Sequence, residues 1–204
     1  MIRLPGPVGF DLDMTLIDSR AAILAAFAEL ARETGTPVDL AAVDGRLGIK
    51  LEDEVAFWFP PDQRVAAVAC YRRHYVELAP RLTTILPGAQ EALAAVRAAG
   101  ERAVIITAKH PVSVEPSLRA VDLVVDEVFT HVHGPEKAAV LRSLDAAAYV
   151  GDSPPDMTAA LDAGVRAVGV ATGSFSSRDL ASAGADVVLD SLGDFPAWYQ
   201  SAAC

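Results

Sequence analysis

The sequence predicts an α/β protein, a doubly wound parallel sheet core with an inserted all-helical cap. Three observations predict it. Apolar runs of strand length recur along the chain, segments with helical spacing separate the later runs, and the stretch from about residue 19 to 83 carries helical pattern without a convincing strand. Strand alternating with helix implies a parallel sheet covered on both faces. With 204 residues, 52% hydrophobic and 22% charged, the chain can bury one large domain or a core domain carrying a smaller insertion.

The elements follow in order. Strands are expected at "VGFDLD" (8 to 13), "AVIIT" (103 to 107), "AAYVGD" (147 to 152), "RAVGV" (166 to 170) and "DVVLD" (186 to 190). After the first strand, "DSRAAILAAFAELARETG" offers Asp18 or Ser19 as a cap, an apolar stripe through Ile23, Phe27, Leu30 and Ala31, and a stop at Gly35. "PDQRVAAVACYRRHYVELAP" predicts a second long helix ending at Pro80. In the later half, "GAQEALAAVRAAG" aligns Ala89, Leu93 and Val96 before Gly100, and "GPEKAAVLRSL" brings Ala138, Leu141 and Arg142 round another helix. The expected organisation is therefore a core of residues 1–18 and 84–204 and a helical cap of residues 19–83. Alanine is abundant, which favours helix, and no internal repeat is visible.

Charge narrows the partners. A formal net charge of -10 repels a phosphate backbone, and only the short "YRRH" at 71 to 74 relieves it, so no nucleic-acid partner is expected. Cys70 and Cys204 are too few for a disulfide framework, and no Cys/His cluster suggests zinc. The first residues lack a basic segment followed by an apolar stretch, and no apolar run is long enough to span a bilayer. These features lead to the expectation of a soluble, unprocessed cytoplasmic protein with no membrane partner. Nothing in the sequence sets an oligomeric state.

The chemistry concentrates at strand ends. Alternation along "VGFDLD" places Gly9, Asp11 and Asp13 on one side, so two carboxylates point to one place near the C-terminal end of a strand, the edge where open parallel sheets bind ligands. Two carboxylates about 4 Å apart repel by roughly 4 kcal/mol at an effective dielectric of 20, enough to demand a cation or a shared proton. A second strand runs into "GDSPPD", where Asp152 closes the strand and Asp156 lies one turn into the next helix. If these strands are neighbours, acidic oxygens converge on a site suited to Mg²⁺, with open positions for phosphate oxygens. Phosphate also needs donors. Thr107, ending "AVIIT", can offer its hydroxyl and the backbone N–H groups that follow, beginning with Ala108, while Lys137 lies near a helix start and Lys109 is a competing cation. This inventory suffices for phosphoryl transfer through an aspartate.

Other polar residues have plainer readings. Asp18, Asp122 and Asp162 are expected as caps or turn residues. His110, His131 and His133 are expected in loops or facing solvent, as are Arg46, Lys50 and "RRH" at 72 to 74. His131 and His133 alternate on one side of a possible strand. Met14 and Met157 are expected to pack, and Phe57 and Trp58 to join the cap core.

Taken in order, "DLDMTLIDS", "IITAK", "GPEKAAVL" and "VGDSPPDMTAALDAG" resemble the four motifs of the haloacid dehalogenase-like hydrolase superfamily. The likeness is to its phosphoglycolate-phosphatase-like branch, whose Rossmann-like core carries a helical cap after the first strand. It covers residues 8 to 20 and about 85 to 190, and across the cap it is architectural only. The resemblance implies a Mg²⁺-dependent phosphatase acting on a small phosphorylated metabolite through an aspartyl-phosphate. It makes Asp11 the nucleophile and a metal ligand, and Asp13 the general acid and base with its backbone carbonyl on the metal. Thr107, Ala108 and Lys137 hold the transferring phosphoryl group, Asp152 binds Mg²⁺, and Asp156 orients a metal water or the lysine.

In the cap, Arg46 and Lys50 stand as candidate substrate contacts. Met14 occupies a position where that family commonly has Gly, and the lysine motif lacks a "KP" dipeptide, so Lys109 competes with Lys137 for the phosphate. Asp13 argues against dehalogenation, because only a phosphate ester's leaving group calls for that proton donor. A phosphomutase of the same superfamily is the nearest alternative. From another class comes a phosphoacceptor signalling domain, which also sets an Asp, a Thr and a Lys at strand ends of a doubly wound sheet.

Overall fold

The structure, a computed structural model, describes residues 5 to 202, and Cys204 lies outside the described residues. The chain divides into two compact units. One is α/β, built from residues up to Ile17, Ile85–Lys109 and the chain from Leu123 on, and the other is helical, built from Asp18–Thr84 and His110–Asp122.

In the α/β unit six strands form a parallel sheet: β1 (Val8–Phe10), β4 (Ala103–Ile106), β5 (Glu127–Phe129), β6 (Ala148–Gly151), β7 (Arg166–Val170) and β8 (Val187–Leu189). Their order is β5-β4-β1-β6-β7-β8, which puts β1 between β4 and β6. The chain builds outward from β1 on one side through β4 and β5, then crosses to the other side at β6. This reversal is the kind of switch point that opens a crevice at the strand C-termini. Phe10 is level with Ile105 of β4 and Val150 of β6, so Asp11, Thr107 and Asp152 all emerge at the same edge.

Each expected strand is present, β7 with the expected bounds, while β1, β4, β6 and β8 stop one or more residues before the polar residue expected to end them. β1 ends at Phe10, although Asp11 N–H still donates to Val150 C=O at 2.8 Å. The edge strand β5 was not foreseen from the sequence, because "EVF" is short and partly exposed and lacks alternation. The flanking helices are α5 (Ala89–Ala98), α7 (Pro135–Ser143), α8 (Pro154–Ala163), α9 (Ser177–Ser182) and α10 (Phe195–Ala202). Ala89, Leu93 and Val96 of α5 and Ala138 and Leu141 of α7 are buried as the periodicity predicts. Asp162 lies inside the last turn of α8, which runs on to Ala163 before the left-handed Gly164 ends it, so it is not a cap or turn residue.

The chain passes between units at β2 (Ile17–Asp18) and β3 (Thr84–Ile85), which form a separate two-stranded sheet. Within the helical unit α1 (Arg20–Thr34) starts after Ser19, with Asp18 Oδ1 accepting from Arg20 N–H, and stops at Gly35 in the left-handed region. Two short helices, α2 (Leu40–Asp44) and α3 (Leu51–Ala56), precede the long α4 (Arg64–Leu82). Helix α4 runs through Pro80 instead of ending there. The missing N–H removes one bond within the last turn, and the turn is still closed by Thr83 N–H on Ala79 C=O at 3.0 Å. Phe27, Leu30, Tyr71 and Tyr75 form the core between α1 and α4. The helix α6 (Pro111–Arg119), in residues the sequence assigned to the core, packs on α4, where Tyr75 and Ser117 share a buried hydroxyl bond of 2.9 Å.

Candidate active site

The site is built entirely within the α/β unit. Asp11 follows β1, Asp152 follows β6, and Asp156 stands in the first turn of α8. One carboxylate oxygen from each lies within 4.8 Å of the others. Lys137, from the first turn of α7, enters this group with its ammonium 3.0 Å from Asp11 Oδ1 and 2.7 Å from Asp156 Oδ1. The second oxygen of Asp156 accepts from Ser153 Oγ at 2.5 Å and Ser153 N–H at 3.2 Å, so one carboxylate both closes the capping box of α8 and fixes the lysine.

Asp13 is placed differently. Its Oδ1 lies 2.6 Å from Lys109 Nζ, so the two lysines that compete in the sequence attend different aspartates. Thr107 is 1% exposed. Its N–H is spent on Phe129 C=O, and its hydroxyl oxygen accepts from Lys109 N–H at 3.1 Å. Among the described groups of this turn, Ala108 N–H is therefore the backbone donor left for a ligand. Met14 takes a left-handed φ of 61° with its side chain buried, where a glycine would sit without strain. The turn it makes is tied down by Met14 N–H on Ile17 C=O and by Thr172 Oγ1 donating to Met14 C=O at 2.5 Å.

Electrostatics follow from this crowding. Burial pushes the Asp11 carboxyl up to about 7, against the pull of Lys137 and with Asp156 and Asp13 adding repulsion. Asp152 is also held well above the carboxylate range, by burial and then by the charges of Asp156 and Asp11, although a hydrogen bond from Thr15 pulls the other way. For Lys137 burial favours the neutral amine, but Asp11 and Asp156 outweigh it and keep the ammonium. Three carboxylates thus cluster where one ammonium is paired with two of them, Asp11 and Asp156. That excess of negative charge, together with an all-oxygen donor set, fits a hard divalent cation such as Mg²⁺. Asp11 and Asp152 would hold it. The Asp13 carboxylate, turned to Lys109, is outside the clustered set.

Several supporting residues escaped sequence reasoning. Thr15 Oγ1 donates to Asp152 Oδ1 at 3.0 Å across 137 positions of sequence. Tyr149 lies beneath Lys137, its ring centroid 5.3 Å from the ammonium and its hydroxyl on Ile106 C=O. Gly151 and Gly173 keep space open, since a Cβ would fall 2.4 Å from Asp156 Cβ at the first and 1.9 Å from Asp152 Oδ2 at the second. The sequence signal for the two glycines is slight: Gly151 closes β6, and Gly173 lies in the turn that follows β7.

Arg46 and Lys50 belong to the helical unit. The Arg46 guanidinium is paired to Glu54 at 2.6 and 2.9 Å and lies 4.4 Å over the Phe57 ring, and the exposed Lys50 precedes α3. Phe57 is exposed rather than part of the cap core. His131 and His133 sit in a loop, not a strand, with their rings edge-to-face.

Comparison with known proteins agrees with this geometry. The haloacid dehalogenase-like hydrolase family profile matches residues 8–170. The chain is 31% identical over 207 residues to the plasmid-borne phosphoglycolate phosphatase of Cupriavidus necator, covering 92% of this chain and 90% of that one. It is 32% identical over 221 residues to a phosphoglycolate phosphatase of Rhodospirillum rubrum, covering 94% and 91%. A haloacid dehalogenase-like hydrolase structure from Streptococcus pneumoniae superposes with a TM-score of 0.84 at 22% identity, over 97% of this chain and 99% of that chain. This protein belongs to the haloacid dehalogenase-like hydrolase family, and its sheet with flanking helices is that family's fold. Among the described residues no helix is long and apolar enough to cross a membrane.

Proposed function

We propose that the protein is a Mg²⁺-dependent phosphatase that hydrolyses a small phosphomonoester by way of a phosphorylated Asp11, with 2-phosphoglycolate the first substrate to try. The observation that carries this reading is the grouping of Asp11, Asp152 and Asp156 at the sheet's switch point, with Lys137 bound to Asp11 and Asp156. Relatives of nearly full coverage named phosphoglycolate phosphatase support the substrate class.

In the first step an Asp11 carboxylate oxygen forms a bond to phosphorus while the bond to the ester oxygen breaks, and Asp13 delivers a proton to that leaving oxygen. In the second, a water oxygen attacks phosphorus as Asp13 takes the water's proton, the Asp11–phosphorus bond breaks and inorganic phosphate departs. Lys137, Thr107 Oγ1 and Ala108 N–H bind the non-bridging oxygens and hold the phosphoryl group in line with Asp11. Asp156 and Ser153 keep Lys137 aimed. Asp11 and Asp152 would hold Mg²⁺, which when bound would supply positive charge that lets a carboxylate approach an anionic ester.

The deciding experiment is a phosphomonoester panel, 2-phosphoglycolate included, assayed with Mg²⁺ and with EDTA on the wild type and Asp11→Asn. Hydrolysis that requires both Mg²⁺ and Asp11 is expected. Activity surviving chelator and substitution would remove the mechanism.

A further inference from the structure

We propose that Lys109 is a positioning residue for Asp13, holding that carboxylate toward its own ammonium and apart from the Asp11 cluster. The inference rests on the phosphatase reading above and concerns the second lysine, which that mechanism does not use. Asp13 Oδ1 and Lys109 Nζ are 2.6 Å apart, a short charge-assisted bond between residues 96 positions apart in sequence.

Lys109 is itself restrained. Its side chain is 8% exposed. Its N–H donates to Thr107 Oγ1, and its carbonyl accepts from His131 N–H at 2.9 Å. The ammonium thus projects from a backbone pinned on both sides, one to the end of β4 and one to the loop after β5. An acid/base group on a turn needs such a partner, because a carboxylate free to rotate spends little time within reach of the leaving oxygen or the water. Lys137 does not serve, since its ammonium is divided between Asp11 and Asp156. Lys109 also supplies the positive charge that Asp13 requires beside three other carboxylates.

The test compares two leaving groups. An alkyl phosphate such as 2-phosphoglycolate needs a proton on its departing oxygen, whereas p-nitrophenyl phosphate leaves without one. In Lys109→Met, kcat toward the alkyl ester is expected to fall about tenfold to a hundredfold with KM little changed, at or below the bottom of the roughly 10²- to 10⁴-fold range for losing acid/base assistance outright, because Asp13 itself remains. Toward p-nitrophenyl phosphate, acid-quenched samples should hold more phosphorylated protein than wild type, because water attack still depends on Asp13. Lys109→Arg should restore part of the loss, and Lys109→Met added to Asp13→Asn should cost nothing further.

An equal loss on both esters carried mainly by KM would make Lys109 a phosphate-binding residue and overturn the proposal, as would an additive double variant or unchanged kinetics. Circular dichroism of each variant separates these outcomes from misfolding, and Lys109→Arg provides the reading if Lys109→Met does not fold. Failure of the phosphatase reading would look different, as a wild type without Asp11-dependent hydrolysis of either ester.

Discussion

Among the described residues two clusters of ligand-type side chains stand, one in each unit, and they are balanced in opposite ways. At the sheet edge Asp11, Asp152 and Asp156 cluster, and a single ammonium pairs with two of them, Asp11 and Asp156. In the helical unit Glu33 of α1 meets Cys70 and His74 of α4, and here one carboxylate has a guanidinium to itself. Arg73 reaches its oxygens at 2.5 and 2.6 Å, and His74 lies at 2.8 Å. The carboxyls respond in opposite directions. Asp11 is pushed up to about 7 by burial, and Glu33 is drawn down to about 2 by its hydrogen bonds from Arg73 and His74. Proximity of ligand atoms alone therefore does not mark a cation site. What separates the two is carboxylate charge left over after the neighbouring cations are counted, which of these two clusters the sheet-edge one has.

Substitutions in the two clusters test that contrast. Asp11→Asn should lower phosphomonoester turnover by at least about a thousandfold, measured as phosphate release in Mg²⁺, because the proposed covalent link forms on the Asp11 carboxylate. Asp13→Asn should cost about 10²- to 10⁴-fold in kcat, with metal affinity by calorimetry changed far less. Next is Gly173→Ala. A Cβ at 1.9 Å from Asp152 Oδ2 forces that carboxylate to move, and turnover should fall roughly tenfold to a hundredfold together with weaker Mg²⁺ binding.

The fourth prediction concerns pH in the absence of metal. Asp11 binds its proton more tightly folded, at about 7, than unfolded, near 3.8, so its contribution to stability is fully present below about 4 and is lost as pH rises through about 7. Melting in EDTA should show that decline across pH 4 to 7, and Mg²⁺ should offset it at the upper end. A metal-free melting temperature that rises across this window would contradict the charge imbalance. Smallest of all is Glu33→Gln, which should leave turnover unchanged and shift the melting temperature little, since its pair with Arg73 is exposed to solvent. A loss comparable to that of Asp11→Asn would erase the distinction between the clusters.

Much of the α/β unit could be read from residue order. β4, β6 and β7 are continuous apolar runs, and the helices between them carry apolar stripes and Gly stops, so alternation alone leads to a parallel sheet. The edge strand β5 was invisible because a three-residue, partly exposed strand carries no periodic signal. In the helical unit the long amphipathic helices were legible, but the run of α4 through Pro80 and the association of α6 with it were not. A proline near a helix end costs one backbone bond, and whether the helix absorbs that loss depends on packing that local sequence does not record.

The same division holds at the site. Residue order is enough to place carboxylates, a threonine and lysines near the ends of strands, since each is chemically conspicuous within its own short segment. Only the tertiary structure decided that Lys137 serves Asp11 and Asp156 while Lys109 serves Asp13, and that Thr15, Tyr149, Gly151 and Gly173 shape the space around them. An ion pair or a steric opening depends on distances of a few ångströms between strand ends, and those distances exist only once the sheet order places β1 between β4 and β6.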